Sequence, residues 1–474
     1  MPLLVPAVVS LVIAAVAVWS ASGERAFLVA LLAAVIPAPL AFRALRKRFD
    51  LFEPIVLAAI ALFVMFVIRP SAHLFYGEMT YQGRSLERSF NTALLIALVG
   101  VVALYCGYFM PVARTLARQL PSLPSALRGN SAIVFAGALM VIGMLLYAVY
   151  IGQVGGLDVA RRLLSGRDPQ TEILASQATV YFLYGQFLAI PAALLLLEAA
   201  ATRRRALAAG LGALVACVSV MVVSGPRGDR MWLMLLGVSI LVLQYMRKQR
   251  RPSARTVAVI GFATFAFGIT FLADIRVSTA RSASPSELFT QTARNPVRGW
   301  HDFVLGGDTE MFSIVALTAE RVPSSEPHKP GITLVSLATN WIPRSLYPDK
   351  PRTADEEIFA MLLPTYFAYA RAGPAPSVFG GFYYDSGLPG VVAGSILVGI
   401  LLRLLYEYLI VHPTGAGSRL LYASALPLVI VLMRGNPTDT IGRMSFVVLP
   451  ILVAVWFTGR HEGRARRRIA SLRL

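Results

Sequence analysis

Ser224-Gly225-Pro226-Arg227-Gly228-Asp229-Arg230 joins two long apolar runs, residues 206–223 and 231–246. The far end of each run carries its own basic cluster, Arg203-Arg204-Arg205 before the first and Arg247-Lys248-Gln249-Arg250-Arg251 after the second. Two such runs around a Gly-Pro turn read as a membrane hairpin. Cytoplasmic loops hold Lys and Arg in excess, so both clusters are expected in the cytoplasm and the turn on the opposite face. Arg227 and Arg230 are then cations at a translocated helix end, where the orientation rule selects against them, and such charges mark functional sites. Exposed backbone N–H groups beside two guanidinium groups suit a phosphate or pyrophosphate. The plainer reading is two arginines snorkelling to lipid headgroups.

Working outward, composition gives the same class. The 474 residues are 56% hydrophobic and only 15% charged, with mean hydropathy +0.65, far too apolar for a set of soluble domains. The net charge of +19 could point to nucleic acid, but the basic residues form short clusters between apolar runs and read as topology signals and lipid contacts. Nucleic acid is therefore excluded as a partner. Cys106 and Cys217 both fall inside expected spans, so no disulfide staple and no metal spacing follow from them. The five histidines are scattered without an HxxxH pair.

Along the chain, about twelve runs approach the ~20 residues a bilayer requires: 3–19, 26–44, 52–68, 91–110, 131–150, 180–200, 206–223, 231–246, 256–272, 388–410, 420–433 and 445–457. Basic clusters follow every second helix end, the last being the tail from Arg460 to Arg473. One topology satisfies them all, with both termini cytoplasmic. The first run has no basic residue before its apolar core and reads as a retained span, not a signal peptide. The expectation is an all-α polytopic membrane protein: residues 1–272 hold helices one to nine, 273–387 form a large extracytoplasmic loop, and 388–474 hold the last three helices and a basic cytoplasmic tail.

Segments 69–90, 151–177 and 273–387 fall outside the membrane in this scheme. The last is too long for a connector, and loops of that length are usually functional. It is expected to form short amphipathic helices lying on the membrane. Residues 303–315 have apolar positions at helical spacing, and 332–342 is apolar but too short to span, so it reads as interfacial or re-entrant.

Several polar clusters there could carry chemistry. Arg276 and Arg281 follow the ninth run. His301-Asp302 and Gly306-Gly307-Asp308-Thr309-Glu310 place one imidazole near three carboxylates. Pro343-Arg344-Ser345-Leu346-Tyr347-Pro348-Asp349-Lys350-Pro351-Arg352 is a proline-framed basic turn, whose fixed φ angles preorganise its cations. Arg434-Gly435, ending the eleventh run, repeats the motif of an arginine beside glycine, and Arg69-Pro70 is a weaker instance. The bland alternatives are solvated carboxylates and headgroup contacts. Together the outer face gathers Arg69, Arg227, Arg230, Arg276, Arg344, Lys350 and Arg434. A lipid pyrophosphate fits that array best: it is anionic, lies at headgroup level, and develops charge on departure that fixed arginines stabilise.

On four features the chain resembles the Wzy-type oligosaccharide repeat-unit polymerases, the O-antigen polymerases in the broad sense. These are Ser224-Gly225-Pro226-Arg227-Gly228 between two helices, Ile342-Pro343-Arg344-Ser345-Leu346-Tyr347-Pro348-Asp349-Lys350-Pro351 in the loop, Phe379-Gly380-Gly381-Phe382-Tyr383-Tyr384-Asp385-Ser386-Gly387-Leu388-Pro389-Gly390, and Arg434-Gly435. Their order agrees, and the likeness covers roughly the C-terminal two thirds. The resemblance implies a metal-independent, GT-C-like glycosyltransferase of the cytoplasmic (inner) membrane. Such an enzyme transfers an undecaprenyl-pyrophosphate-linked glycan to a sugar hydroxyl of a second lipid-linked repeat unit. Its partners would be that lipid-linked oligosaccharide, the bilayer, a chain-length regulator and a flippase; no cofactor and no metal ligand is expected. The family's pyrophosphate-holding arginines map onto Arg227, Arg230, Arg344 and Arg434, with Arg276 and Lys350 added from the charge pattern. The related O-antigen ligases use a loop histidine; His301 and His328 are available here, neither in a family motif.

A carboxylate or imidazole within reach of the acceptor hydroxyl would assist the transfer. Asp308 and Glu310 lead as candidates, then His301, then Asp385. Two rival classes are a transporter or flippase of lipid-linked glycans, which would place ionisable residues and broken helices near mid-membrane, and a non-catalytic membrane scaffold, which would not need the outer arginines; a ligase-like glycan transferase is the alternative among enzymes. This sequence concentrates its charges at helix ends instead.

Overall fold

The computed structural model describes residues 23–46, 49–156, 159, 180–200, 206–224, 230–248, 296–307, 309–340, 342, 346–367, 375–413 and 415–460. Among the described residues nine helices are long and apolar enough to cross a membrane: Glu24–Leu45, Pro54–Tyr76, Phe90–Phe109, Asn130–Gln153, Phe182–Ala200, Met231–Lys248, Ser377–Val411, Ala416–Arg434 and Pro437–Thr458. They fall on nine of the expected runs. The run 206–223 is the helix Ala206–Ser224, while 3–19 and 256–272 lie outside the described residues. Strand pairing among the described residues is confined to two short antiparallel pairs, Thr80–Tyr81 with Arg84–Ser85 and Ala126–Leu127 with Gly459–Arg460.

Three boundaries move, among them the start of the last helix, at Pro437 instead of Ser445. The third helix continues past Ile68 to Tyr76 and takes Arg69 and His73 into its last turns. Pro70 lacks an N–H and its ring crowds the preceding turn; the chain widens into the π-helical stretch Val64–Ile68 immediately before it, which relieves that clash. The tenth helix starts at Ser377 instead of Leu388. Asp385-Ser386-Gly387 looks like a turn in sequence, and Ser386 (φ −144°, ψ 24°) and Gly387 (φ 65°) do leave helical geometry, but helix resumes on both sides.

The chain divides into two compact units. The first draws its described residues from Met1–Ala113, Thr292–Leu404 and Val429–Ile441. Its helices Phe90–Phe109 and Ser377–Val411 cross in backbone contact: a Cβ on Gly107 would lie 2.1 Å from the Ile396 carbonyl oxygen, and one on Gly399 2.2 Å from that of Leu104. Small residues at such crossings replace the hydrophobic drive that lipid removes. Phe90 meets Phe312 edge-on at 4.8 Å and Phe66 lies 5.7 Å from Phe379; all four rings are buried, and each pair adds about 0.5–1.5 kcal/mol beyond area burial. Glu53, 1% exposed, accepts from Tyr108 Oη at 2.5 Å and pairs with Arg43 and Arg403.

The second unit draws on Arg114–Gln291, Leu405–Leu428 and Gly442–Leu474. Ala189–Ala200 packs between Gly129–Gln153 and Ala206–Ser224. Buried Glu198 is matched by Arg419 at 2.5 Å and Arg247 at 3.7 Å, and Arg443 lies 5.6 Å from the rings of Tyr184 and Trp232.

Candidate functional site

Within the first unit, described candidate residues gather around two turns. The first turn links Pro296–Val304 to Met311–Arg321 and is organised by Arg69. This guanidinium is 1% exposed. Nε donates to Ser313 Oγ at 3.0 Å, and Nη1 to the Gly306 carbonyl at 2.6 Å, Thr309 Oγ1 at 3.0 Å and the Val304 carbonyl at 3.3 Å. One turn further along the same helix, His73 contacts Ser313 Oγ at 3.2 Å and the Glu78 carbonyl at 2.5 Å. Tyr81 Oη donates to Glu310 Oε2 at 2.6 Å. Burial, then the Glu310 carboxylate, pushes the Tyr81 phenol well above its usual range, so it remains a donor at neutral pH.

His301, on the preceding helix, contacts Glu78 Oε1 through Nε2 at 3.0 Å and Asp302 Oδ1 through Nδ1 at 3.2 Å, and packs edge-on against Tyr76. Its hydrogen bond to Glu78, followed by that to Asp302, raises its pKa. The residues 303–315 thus fall on two helix pieces around a turn, and Met311 to Thr318 are buried. By contrast, the short helix Ile332–Thr339 exposes Leu334 and Val335.

The second turn joins Leu428–Arg434 to Pro437–Thr458 through Gly435-Asn436 alone. Asn436 Oδ1 accepts from the N–H groups of Thr438 at 2.7 Å and Asp439 at 3.1 Å, an N-cap arrangement. Asn340 Nδ2 donates to the Thr438 carbonyl at 3.3 Å, and Lys350 Nζ donates to the carbonyls of Asn340 and Ile342 at 3.0 and 3.2 Å. These bonds tie the proline-framed turn to the start of the last helix.

The helix Ala354–Leu362 also reaches this turn. It opens with a capping box, Thr353 Oγ1 accepting from the Glu356 N–H and Glu356 answering to the Thr353 N–H. Asp355 in its first turn accepts from both the side chain and the backbone N–H of Asn436. A Cβ on Gly435 would lie 3.8 Å from Asp355 Oδ2 and 3.6 Å from Asp439 Oδ2, so the two carboxyl groups flank one glycine. Burial first, and the Asp439 carboxylate second, push Asp355 up to about 7. Its Oδ1 is sealed from solvent with no hydrogen-bond partner among the described residues, as is Oγ1 of Thr438, a residue 1% exposed. Arg434, half-buried, makes no hydrogen bond or ion pair among the described residues.

Of the residues expected from sequence, the structure brings His301 and Glu310 to the Arg69 turn, and Lys350 and Arg434 to neighbouring turns tied through Asn340 and Thr438. Asp308, Arg227, Arg276 and Arg344 lie outside the described residues. Arg230 opens the helix Arg230–Lys248, but its side chain is likewise outside the description. Asp385 caps a different helix: its oxygens accept from the N–H groups of Gly331 at 2.8 Å and Thr333 at 3.0 Å. Sequence reading missed Asp355, Asn436 and Asp439. The Thr353-to-Glu356 capping pattern and Asn436-Pro437 mark helix starts, yet neither reveals that the two starts meet.

Comparison with known proteins gives one assignment over nearly the whole chain: residues 6–460 match the family model described as O-antigen polysaccharide polymerase Wzy. No curated protein and no solved structure matches.

Proposed function

We propose that this chain, which belongs to the O-antigen polysaccharide polymerase Wzy family, joins undecaprenyl-pyrophosphate-linked oligosaccharide repeat units into a surface polysaccharide. The transfer takes place at the outer face of the cytoplasmic membrane, without a divalent metal. The supporting observation is Arg434. Arg43, Arg69, Arg247, Arg403 and Arg419 are each matched to acceptors within the fold, whereas half-buried Arg434 has no such match among the described residues and so keeps its donors for a ligand. Its planar fork suits a pyrophosphate. Arg227, Arg230, Arg276 and Arg344 remain further proposed substrate-binding cations on the sequence pattern alone, and Lys350 lies in the turn tied to Thr438 through Asn340.

A sugar hydroxyl of one lipid-linked unit attacks the anomeric carbon of another, and fixed cations stabilise the charge gathering on the departing pyrophosphate. Glu310 already accepts from Tyr81, and His301 is bridged between Glu78 and Asp302. Their engagement favours a role in holding the turn; Asp308 remains a proposed acceptor-side group. Purified protein in phospholipid vesicles, given lipid-linked repeat units without nucleotide sugar or ATP, is expected to produce a ladder of polymers that survives excess EDTA. Movement of the lipid-linked unit across the vesicle with no ladder would replace this reading with that of a flippase.

A further inference from the structure

We propose that the Asp355–Asp439 pair is the proton acceptor of the transfer, taking the proton of the acceptor sugar hydroxyl while Arg434 in the same turn holds the leaving pyrophosphate. The proposal rests on the polymerase reading above and adds the group that activates its nucleophile. Four observations carry it. Two carboxyl groups flank Gly435, one residue from Arg434. Asp355 Oδ1 has no donor, although its carboxyl draws both Asn436 donors. The neighbouring Thr438 hydroxyl is also buried and unpartnered. Finally, Asp355 titrates near neutrality because burial and the Asp439 charge disfavour its ionised form, which is where a general base works best.

An acid in the first turn of a helix ordinarily serves the helix dipole from an exposed position. Asp355 departs from that pattern, since Thr353 and Glu356 already supply the cap and the Asp355 carboxyl turns to a distant segment. The charged groups around it are few. Asp439 faces it from the last helix and Glu356 from its own. Arg434 lies on the facing turn, and Arg321 of the helix Met311–Arg321 binds the opposite end at the Met361 carbonyl.

The step balances without a further reactant. The acceptor hydroxyl oxygen forms a bond to the anomeric carbon. The bond from that carbon to the phosphate oxygen breaks, its electron pair leaving on the lipid pyrophosphate. The hydroxyl proton passes to a carboxylate oxygen of the pair and from there to solvent. The Asp439 charge helps to raise Asp355, so removing it changes the pH response of Asp355.

The test uses the full chain in phospholipid vesicles with a lipid-pyrophosphate-linked repeat unit, following the initial ladder rate between about pH 5 and about pH 9. The wild-type rate should climb with pH and level off above about 7. D439N should move that rise to lower pH, because the charge that raises Asp355 is gone. D355N should lose ~10²–10⁴-fold at every pH while binding the lipid-linked unit as the wild type does. A wild-type ladder that D355N also makes at near-normal rate overturns the assignment alone; absence of any wild-type ladder overturns the polymerase reading and the assignment with it. Should D355N fold poorly, D439N decides, and an unmoved pH profile in that variant overturns the proposal.

Discussion

Two turns of the first unit carry buried charge, and they treat it in opposite ways. In the turn between Pro296–Val304 and Met311–Arg321, Arg69 spends its donors on Ser313, Gly306, Thr309 and Val304, and Tyr81 covers Glu310. In the Gly435-Asn436 turn, Asp355 Oδ1 and Thr438 Oγ1 lack partners and Arg434 is unmatched among the described residues. A buried polar atom left unsatisfied costs about 1–3 kcal/mol, so the second turn holds its groups at a cost that the first avoids. The first arrangement builds the scaffold, and the second keeps valences open for a substrate to fill.

The sharpest way to break this contrast is R69A. Removing this buried guanidinium deletes its four hydrogen bonds, each worth about 1 kcal/mol, so the variant should lose on the order of 3–5 kcal/mol of stability, much of the ~5–15 kcal/mol a domain has. The loss should appear as poor yield of monodisperse protein in detergent. An R69A protein with a wild-type unfolding midpoint would show that the first turn is not scaffold.

R434A probes the other side. It should keep its unfolding midpoint but lose a charge-assisted contact worth ~1.5–3 kcal/mol, read as a fall in turnover of about 10–150-fold, with R434K recovering only part of it. Turnover retained at matched protein level would remove Arg434 from the site.

The smallest effect belongs to D385A. It deletes two capping bonds to the helix Ile332–Thr339 and should cost ~0.5–2 kcal/mol, seen as faster hydrogen exchange in that helix. Unchanged exchange there would mean that the cap is redundant.

How far the sequence carries the reader differs between these turns. Spans are legible because length and apolarity suffice, and the runs at Phe90–Phe109 and Gly129–Gln153 lie within a residue or a few of expectation. The end of the third helix is illegible because Arg69 looks like a boundary charge; only partners far along the chain allow it inside. Arg434 is visible as an arginine beside glycine at a helix end. Lys350 is visible too, but its bonds to Asn340 and Ile342 depend on how the proline-framed turn closes. Asp355 carries no local sign at all. Its perturbation comes from Asp439 and from burial, both products of tertiary contact.

The central claim is that the second turn gives up stability for reactivity. A carboxyl whose folded-state pKa is raised stabilises fully below its unfolded value of about 4, and that contribution is lost as pH rises through about 7. Asparagine cannot ionise, so D355N escapes the loss. The decisive measurement is the unfolding midpoint and the ladder rate of D355N beside wild type at about pH 8, above the range where Asp355 titrates. The account predicts a midpoint equal to or above wild type with turnover abolished; a lowered midpoint with turnover retained would contradict it.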